Sequence, residues 1–309
     1  MKILIADKLQ DEGIKIFIDN GFDVEKKFTI NKEELKEEIE NYDGIVIRSR
    51  TKLTSDVLEN AKKLKVIGRA GVGLDNVDQK KATELNIQVL NTPEAPAVSV
   101  AEFALGLMLA LARKISYADR TTHEGQWNKN ECLGYTLNGK NLGLIGFGNT
   151  AKHLAKIALC MGMEVGVYSR FSKGQVAIDE AKKMGCSIYS SVEDLLKKAQ
   201  VISLHLPSTP QTENIINGER INLMRNDAIL INTARGNLID DKALIKALKD
   251  KRIAGAALDV YREEPITDQE LIKCEDNLIL TPHIASQSNE NQKAAATMIA
   301  EKMSNFLKK

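Results

Sequence analysis

Cysteine is scarce in this sequence: Cys132, Cys160, Cys186 and Cys274 are dispersed, with no Cys-x-x-Cys spacing. Neither a zinc cluster nor a disulfide framework is expected, and a reducing, cytoplasmic setting fits. Charge of one sign is lacking too, since 43 Lys and Arg stand against 42 Asp and Glu for a net charge of +1. Nothing in that total draws the chain to nucleic acid or to an anionic membrane, so any anion selectivity must come from local clusters. No apolar run approaches the ~18 residues of a membrane span. The N-terminal stretch Met1-Lys2-Ile3-Leu4-Ile5-Ala6-Asp7 is too short for a signal-peptide core and reads as a strand. Low-complexity segments are absent, as are sequence repeats beyond a recurrence of β-α units. With only four histidines, the search for a proton-transfer group is short.

What is present is a 309-residue chain, 43% hydrophobic and 28% charged, long enough for two domains with cores of their own. Short β-branched runs alternate with helical patterns throughout. This predicts an α/β protein of two Rossmann-like or flavodoxin-like domains on parallel sheets, with a cleft between them. The first series places strands in 3–6, 22–28, 44–47, 65–70 and 87–90, and Asn31 with Glu34 makes a capping-box-like helix start. The stretch Asn91-Thr92-Pro93-Glu94-Ala95-Pro96 breaks the periodicity and reads as a linker. Beyond it, 97–119 reads as one long apolar helix, buried on most sides. Strands then recur from 141–146 to 277–282, and a terminal helix runs from Ser286. The expected division is a discontinuous substrate domain, 1–96 with 287–309, around a dinucleotide domain, 97–286.

Gly146-Phe147-Gly148-Asn149-Thr150-Ala151 follows a predicted strand and opens a predicted helix. The first glycine permits a tight turn, the second lets backbone approach a pyrophosphate, and a small third residue allows close helix–strand packing. An NAD-selective loop usually has an acidic residue about 20 positions on, accepting from the ribose 2′-hydroxyl. Here the next strand ends Tyr168-Ser169-Arg170-Phe171-Ser172-Lys173, without a carboxylate. Ser169 can hydrogen-bond a 2′-phosphate and Arg170, aided by Lys173, can pair with its charge, so NAD(P) is expected with a preference for NADP(H).

His205 and His283 each lie just beyond a strand's C-terminal end, the edge at which open α/β sheets bind ligands. His123 and His153 read as surface imidazoles. Hydride transfer to or from a secondary alcohol needs a group that takes and returns the hydroxyl proton near neutrality, which His does. A carboxylate on the imidazole fixes its tautomer, and Glu264, in Asp259-Val260-Tyr261-Arg262-Glu263-Glu264-Pro265, can supply it. Arg235, in Asn232-Thr233-Ala234-Arg235-Gly236, can hold a substrate carboxylate at another strand end.

Thr-Ala-Arg-Gly, Asp-Val-Tyr-x-x-Glu-Pro and Thr-Pro-His-Ile-Ala-Ser, in this order behind the Gly-rich loop, resemble the D-isomer-specific 2-hydroxyacid dehydrogenases across essentially the whole chain. That resemblance implies that Arg235 binds substrate, that Glu264 and His283 form the acid–base pair, and that Asp259 contacts the nicotinamide carboxamide side. It implies further dinucleotide contacts at Gly146, Gly148, Asn149, Thr150, His205, Pro207, Thr233, Ala234 and Ala285, and at Val72 in the first series.

The first series is informative about the acid. Gly71-Val72-Gly73 follows a strand ending in Arg69, and its successive N–H groups can form an anion nest. Arg48 and Arg50 end another strand of that sheet and fall on one side if strand geometry persists. Three guanidinium groups exceed the need of one carboxylate, and planar forks match a phosphate. This portion resembles the D-3-phosphoglycerate dehydrogenases, which implies a small phosphorylated 2-hydroxy or 2-keto acid and a homodimer formed through the 97–119 helix, with Lys129 reaching the neighbour's substrate. The absent acid at Ser169 is more reminiscent of NADPH-dependent glyoxylate/hydroxypyruvate reductases, and a dinucleotide-sensing binding module can share the fold. Because the chain ends at Lys309, directly after the terminal helix, no serine-sensing regulatory domain is expected.

Overall fold

A computed structural model describes residues 1–169, 174–274 and 277–308. The chain forms two compact units, Met1–Pro96 with Ser286–Lys309, and Ala97–Ala285. In chain order the first unit holds β1 (Lys2–Ile5), α1 (Asp11–Asp19), β2 (Asp23–Lys26), α2 (Lys32–Glu38), β3 (Gly44–Ile47), α3 (Ser55–Leu58), β4 (Val66–Arg69), α4 (Gln79–Glu84) and β5 (Gln88–Asn91). The second begins with α5 (Ala97–Ala112), α6 (Ile115–His123), β6 (Asn141–Ile145), α7 (Asn149–Cys160), β7 (Glu164–Tyr168), α8 (Gly174–Lys183) and β8 (Ser187–Ile188). It continues with α9 (Val192–Lys198), β9 (Val201–Leu204), α10 (Gly218–Ile221), β10 (Ile229–Asn232), α11 (Asp241–Lys249), β11 (Gly255–Leu258), α12 (Gln269–Ile272) and β12 (Leu278–Leu280). The last helix, α13 (Asn289–Leu307), returns to the first unit.

In the first unit the strands run parallel in the order β2-β1-β3-β4-β5. Helices on both faces explain why β1 and β3 are apolar without alternation to polar residues. Ile3 and Ile5 pack with Phe17, Ile299 and Met303 on one face, while Leu4 and Ala6 pack with Leu35, Tyr42 and Leu58 on the other. On the first face α1 meets α13 closely, since a Cβ on Gly13 would lie 2.5 Å from the Ala296 carbonyl oxygen. The capping box at Asn31 is present: its Oδ1 accepts from the Glu34 N–H and Glu34 Oε2 accepts from the Asn31 N–H, both at 3.0 Å.

The second unit carries a parallel seven-stranded sheet in the order β12-β11-β10-β9-β6-β7-β8. The order reverses between β6 and β9, which creates a crevice at the carboxyl ends of the strands. Leu144, Val167 and Ile231 face α5 and α7, and Ile145, Leu204 and Leu230 face α9 and α11. The apolar stretch 97–119 is two helices, not one. Lys114 takes a left-handed conformation at φ 53°, and the Ala112 carbonyl, which a continuing helix would engage, accepts the Tyr135 N–H at 3.0 Å instead. Among the described residues no helix is long and apolar enough to cross a membrane.

Candidate functional site

The turn after β6 is shaped by its glycines. Gly146 sits at φ 96°, where a Cβ would come within 2.3 Å of the His205 carbonyl oxygen, so any other residue strains the loop and collides with backbone. A Cβ on Gly148, by contrast, would meet nothing within 4 Å. Gly148 precedes α7 without a side-chain cap, which leaves N–H groups at the N-terminus of a twelve-residue helix facing open space. Asn149 and Thr150 form its first turn, and Ala151 is fully buried beneath it.

Two hydroxyls at the same sheet edge are buried and unsatisfied. Ser169, just past β7, and Thr233, just past β10, have oxygens with no hydrogen-bond partner among the described residues. Buried polar groups are rarely left unpaired. Orphaned hydroxyls flanking an open glycine turn and an uncapped helix are a lining that a nicotinamide dinucleotide would fit. Arg170 and Lys173 lie outside the described residues.

His205 is not a proton-transfer group. Its backbone N–H donates to Ile145 at 2.8 Å and its Nε2 shares a hydrogen bond of 2.9 Å with Ser203 Oγ. Burial pushes its pKa from 6.5 down to about 4, so the ring is neutral at physiological pH. Unfolding releases this restraint, and between pH 6.5 and 4 the unfolded chain binds a proton that the folded chain does not. Stability therefore falls as pH drops through that window, by about 3 kcal/mol at most. Urea melts of the wild type and His205→Gln between these pH values check this, because the variant should lose that part of the acid sensitivity. Glu25, held near 2 chiefly by Lys2 and then by Tyr42, contributes its loss lower, as pH falls from 4.5 to about 2. Pro207, two residues on, accepts the Thr212 hydroxyl at 2.7 Å, which fixes the strand-end loop.

Beyond β10, Asn232 staples the next turn: its Oδ1 accepts from Ala234 N–H at 3.0 Å and its Nδ2 donates to the Arg235 carbonyl at 2.9 Å. Arg235 donates to the Ala234 carbonyl at 2.7 Å. Gly236 lets the loop after β11 lie directly on this turn, since a Cβ there would fall 2.0 Å from the Tyr261 carbonyl carbon. Arg235 and the loop that carries Glu264 thus share one edge.

His283 Nδ1 donates to Glu264 Oε2 at 2.7 Å, with both side chains partly solvent-exposed, 49% and 38%. Donation from Nδ1 leaves Nε2 as the nitrogen that exchanges a proton with a ligand. The carboxylate is itself held, accepting the Tyr261 N–H at Oε1, 3.1 Å. The Tyr261 hydroxyl donates across to the Thr281 carbonyl at 2.8 Å, so this residue braces both halves of the pair. His283 adopts φ 54° in a turn closed by its N–H on the Thr281 carbonyl, 3.0 Å.

Asp259 lies directly beyond β11. It is fully buried, and its carboxylate accepts from Thr281 Oγ1 at 2.6 Å, Ile284 N–H at 2.9 Å and Ala285 N–H at 2.8 Å. These three donors make the Asp259 carboxylate a clamp that shapes the turn carrying His283. Ala285 is buried in the same clamp, and its carbonyl accepts the Ser99 hydroxyl at 2.8 Å.

In the first unit, strand geometry stops at Ile47, so Arg48 and Arg50 do not form a strand-face pair. The chain instead wraps Asp7, whose Oδ1 accepts Arg50 Nε–H at 2.9 Å. The Arg50 guanidinium also donates to the carbonyls of Ala6, 2.6 Å, and Ile30, 3.1 Å. Arg48 is half-buried and its guanidinium has no hydrogen-bond partner among the described residues. Burial lowers its pKa, opposed by Asp7. Arg69 closes β4, directly across from Ile47, and its guanidinium lies where a Cβ on Gly71 would stand. Val72 is 40% exposed and its carbonyl accepts from Asn91 Nδ2 at 2.6 Å. Gly73 follows in the same turn. Lys129 is exposed on a segment whose Trp127 and Leu133 are 85% and 82% exposed. Asp7 lies just past β1, Asn76 in the turn beyond Gly73 and Ser203 within β9, and none of the three was singled out by the sequence. Among the described residues no cluster of His, Cys, Asp and Glu could hold a metal ion.

Comparison with known proteins adds to this geometry. Residues 105–285 match the family model described as D-isomer specific 2-hydroxyacid dehydrogenase, NAD binding domain. The D-3-phosphoglycerate dehydrogenase of Methanocaldococcus jannaschii is 46% identical over 308 residues, covering 100% of this chain and 58% of that protein. The chain thus spans little more than half the length of that relative. The hydroxypyruvate reductase of Thermotoga maritima is 40% identical over 98% of this chain and 97% of its own length. Among solved structures, the TT0316 protein of Thermus thermophilus superposes with a TM-score of 0.88 at 33% identity, covering 100% of this chain and 97% of that one.

Proposed function

From the premise that the chain belongs to the D-isomer-specific 2-hydroxyacid dehydrogenases, we propose that it interconverts a small D-2-hydroxy acid and its 2-keto acid, with 3-phospho-D-glycerate and 3-phosphohydroxypyruvate as the favoured pair. The observation that carries the reading is the His283–Glu264 pair at 2.7 Å beside the Arg235 turn. A bound nicotinamide dinucleotide supplies the hydride acceptor or donor. Gly146, Gly148, Asn149 and Thr150 would take its pyrophosphate, and Ser169, Thr233 and Ala234 its sugars and reacting end. His283 Nε2 takes the C2 hydroxyl proton in oxidation and returns it in reduction. Glu264 holds Nδ1–H, fixes the tautomer and stabilises the imidazolium formed in between. Arg235 pairs with the substrate carboxylate and polarises the C2 oxygen.

The phosphorylated acid is favoured by Arg48, a half-buried guanidinium with no hydrogen-bond partner among the described residues, next to Arg69 and the Val72–Gly73 turn. The name of the M. jannaschii relative supports this choice; that of the T. maritima relative supports a hydroxypyruvate or glyoxylate reductase instead. Arg48→Ala separates the two readings. On the first, it raises KM for 3-phosphohydroxypyruvate about 50-fold, the scale of a lost charge-assisted contact, and leaves glyoxylate within about threefold. Equal effects on both acids would favour the reductase. The buried Ser169 hydroxyl and the lack of a carboxylate at this strand end support NADP(H) as the preferred cofactor. Exposed Trp127 and Leu133 support a homodimer in which Lys129 reaches the neighbour's substrate.

A further inference from the structure

We propose that Asp7 and Asn76 are positioning residues for substrate binding, which together take up the backbone polar groups of the 48–51 turn and hold Arg48 toward the anionic substrate. The inference rests on the reading above that Arg48 contacts that substrate. The two residues act from opposite sides of the turn. Asp7, 3% exposed at the end of β1, collects donors: Oδ2 accepts the N–H groups of Arg48, 2.6 Å, and Thr51, 3.2 Å, and Oδ1 accepts the Thr51 hydroxyl, 2.8 Å, besides Arg50. Asn76 collects acceptors, its Nδ2 donating one hydrogen to the Arg48 carbonyl and the other to the Thr51 carbonyl, each at 2.7 Å. A primary amide offers both donors on one nitrogen without bringing a charge to the turn.

Asn76 is itself anchored. Its carbonyl accepts the Leu53 N–H at 2.8 Å, and the Asp78 N–H returns to the Leu53 carbonyl at 2.9 Å. It stands three residues past Gly73, so one side chain ties the arginine turn to the proposed anion nest. Ile47 pairs with Arg69 in the β3–β4 register, which places Arg48 one residue beyond that pairing, at the same edge as the nest. Asp7 offsets part of the cost of taking the Arg48 charge from water, but the guanidinium makes no hydrogen bond among the described residues, and an anion that bonded it would offset more.

The test is a double-mutant cycle on the full chain, with Asn76→Ala, Arg48→Ala and the pair, read as steady-state reduction of 3-phosphohydroxypyruvate and of glyoxylate. Asn76→Ala should raise KM for the phosphorylated acid about 10-fold and hold kcat within about twofold, the pattern of lost ground-state binding. In the Arg48→Ala background the same change should add less than about twofold, because it acts through Arg48. Additive effects, or a fall in kcat without a change in KM, would overturn the proposal. If Asn76→Ala does not fold, Asp7→Asn, which keeps the shape and one acceptor, replaces it under the same criteria. A wild type that reduces glyoxylate but not 3-phosphohydroxypyruvate sinks the phosphorylated-substrate reading alone, and the cycle on glyoxylate then decides this one. An Arg48→Ala that leaves KM unchanged for every acid turned over overturns it outright.

Discussion

His283→Asn will lower kcat by about 10³-fold while dinucleotide affinity, measured by fluorescence titration, stays within about threefold. The magnitude is that of a lost general acid–base. Asparagine tolerates the left-handed backbone that His283 occupies at φ 54°, so the Asp259 clamp on residues 281–285 should persist. The loss is then assigned to the imidazole rather than to a collapsed turn. Glu264→Gln keeps an acceptor for Nδ1–H but removes the negative charge, so a smaller fall, about 10²-fold in kcat, is expected. A His283→Asn enzyme with near wild-type turnover would dismiss the acid–base assignment.

Arg235→Gln carries the second large effect, a loss of about 10³-fold in kcat/KM shared between KM and kcat. Glutamine cannot form the two parallel bonds of a guanidinium on a carboxylate, nor bring charge to the C2 oxygen as it becomes negative. Because Asn232 holds the turn through the backbone of Ala234 and Arg235, these two bonds remain when the guanidinium is replaced. Melting temperature should move little while turnover collapses. An Arg235→Gln variant with unchanged kcat/KM would show that the substrate carboxylate is held elsewhere.

Much of this site was legible because its signals are local in the sequence. The glycine turn at 146–148, the Asn31 capping box and the strand ends carrying Arg235, Glu264 and His283 are each specified within a few residues. The readings that failed depended on distant partners. Alternation placed Arg48 and Arg50 together on a strand face, but Asp7, 43 residues from Arg50, ends the strand and takes that guanidinium. The apolar run 97–119 continues past Ala112 in the sequence, yet Tyr135 takes the carbonyl that a longer helix would have used. Hydrophobic period records which face is buried and says nothing about which long-range polar partner interrupts it.

The most direct test of the central claim is one set of absorbance assays with the full chain: NADH and NADPH, each against 3-phosphohydroxypyruvate, hydroxypyruvate, glyoxylate and pyruvate, with chiral analysis of the product. Cofactor oxidation is expected with at least one 2-keto acid, fastest with 3-phosphohydroxypyruvate and with NADPH over NADH, yielding the D-hydroxy acid. Tight dinucleotide binding without turnover of any of these acids, or formation of the L-isomer, would contradict that claim.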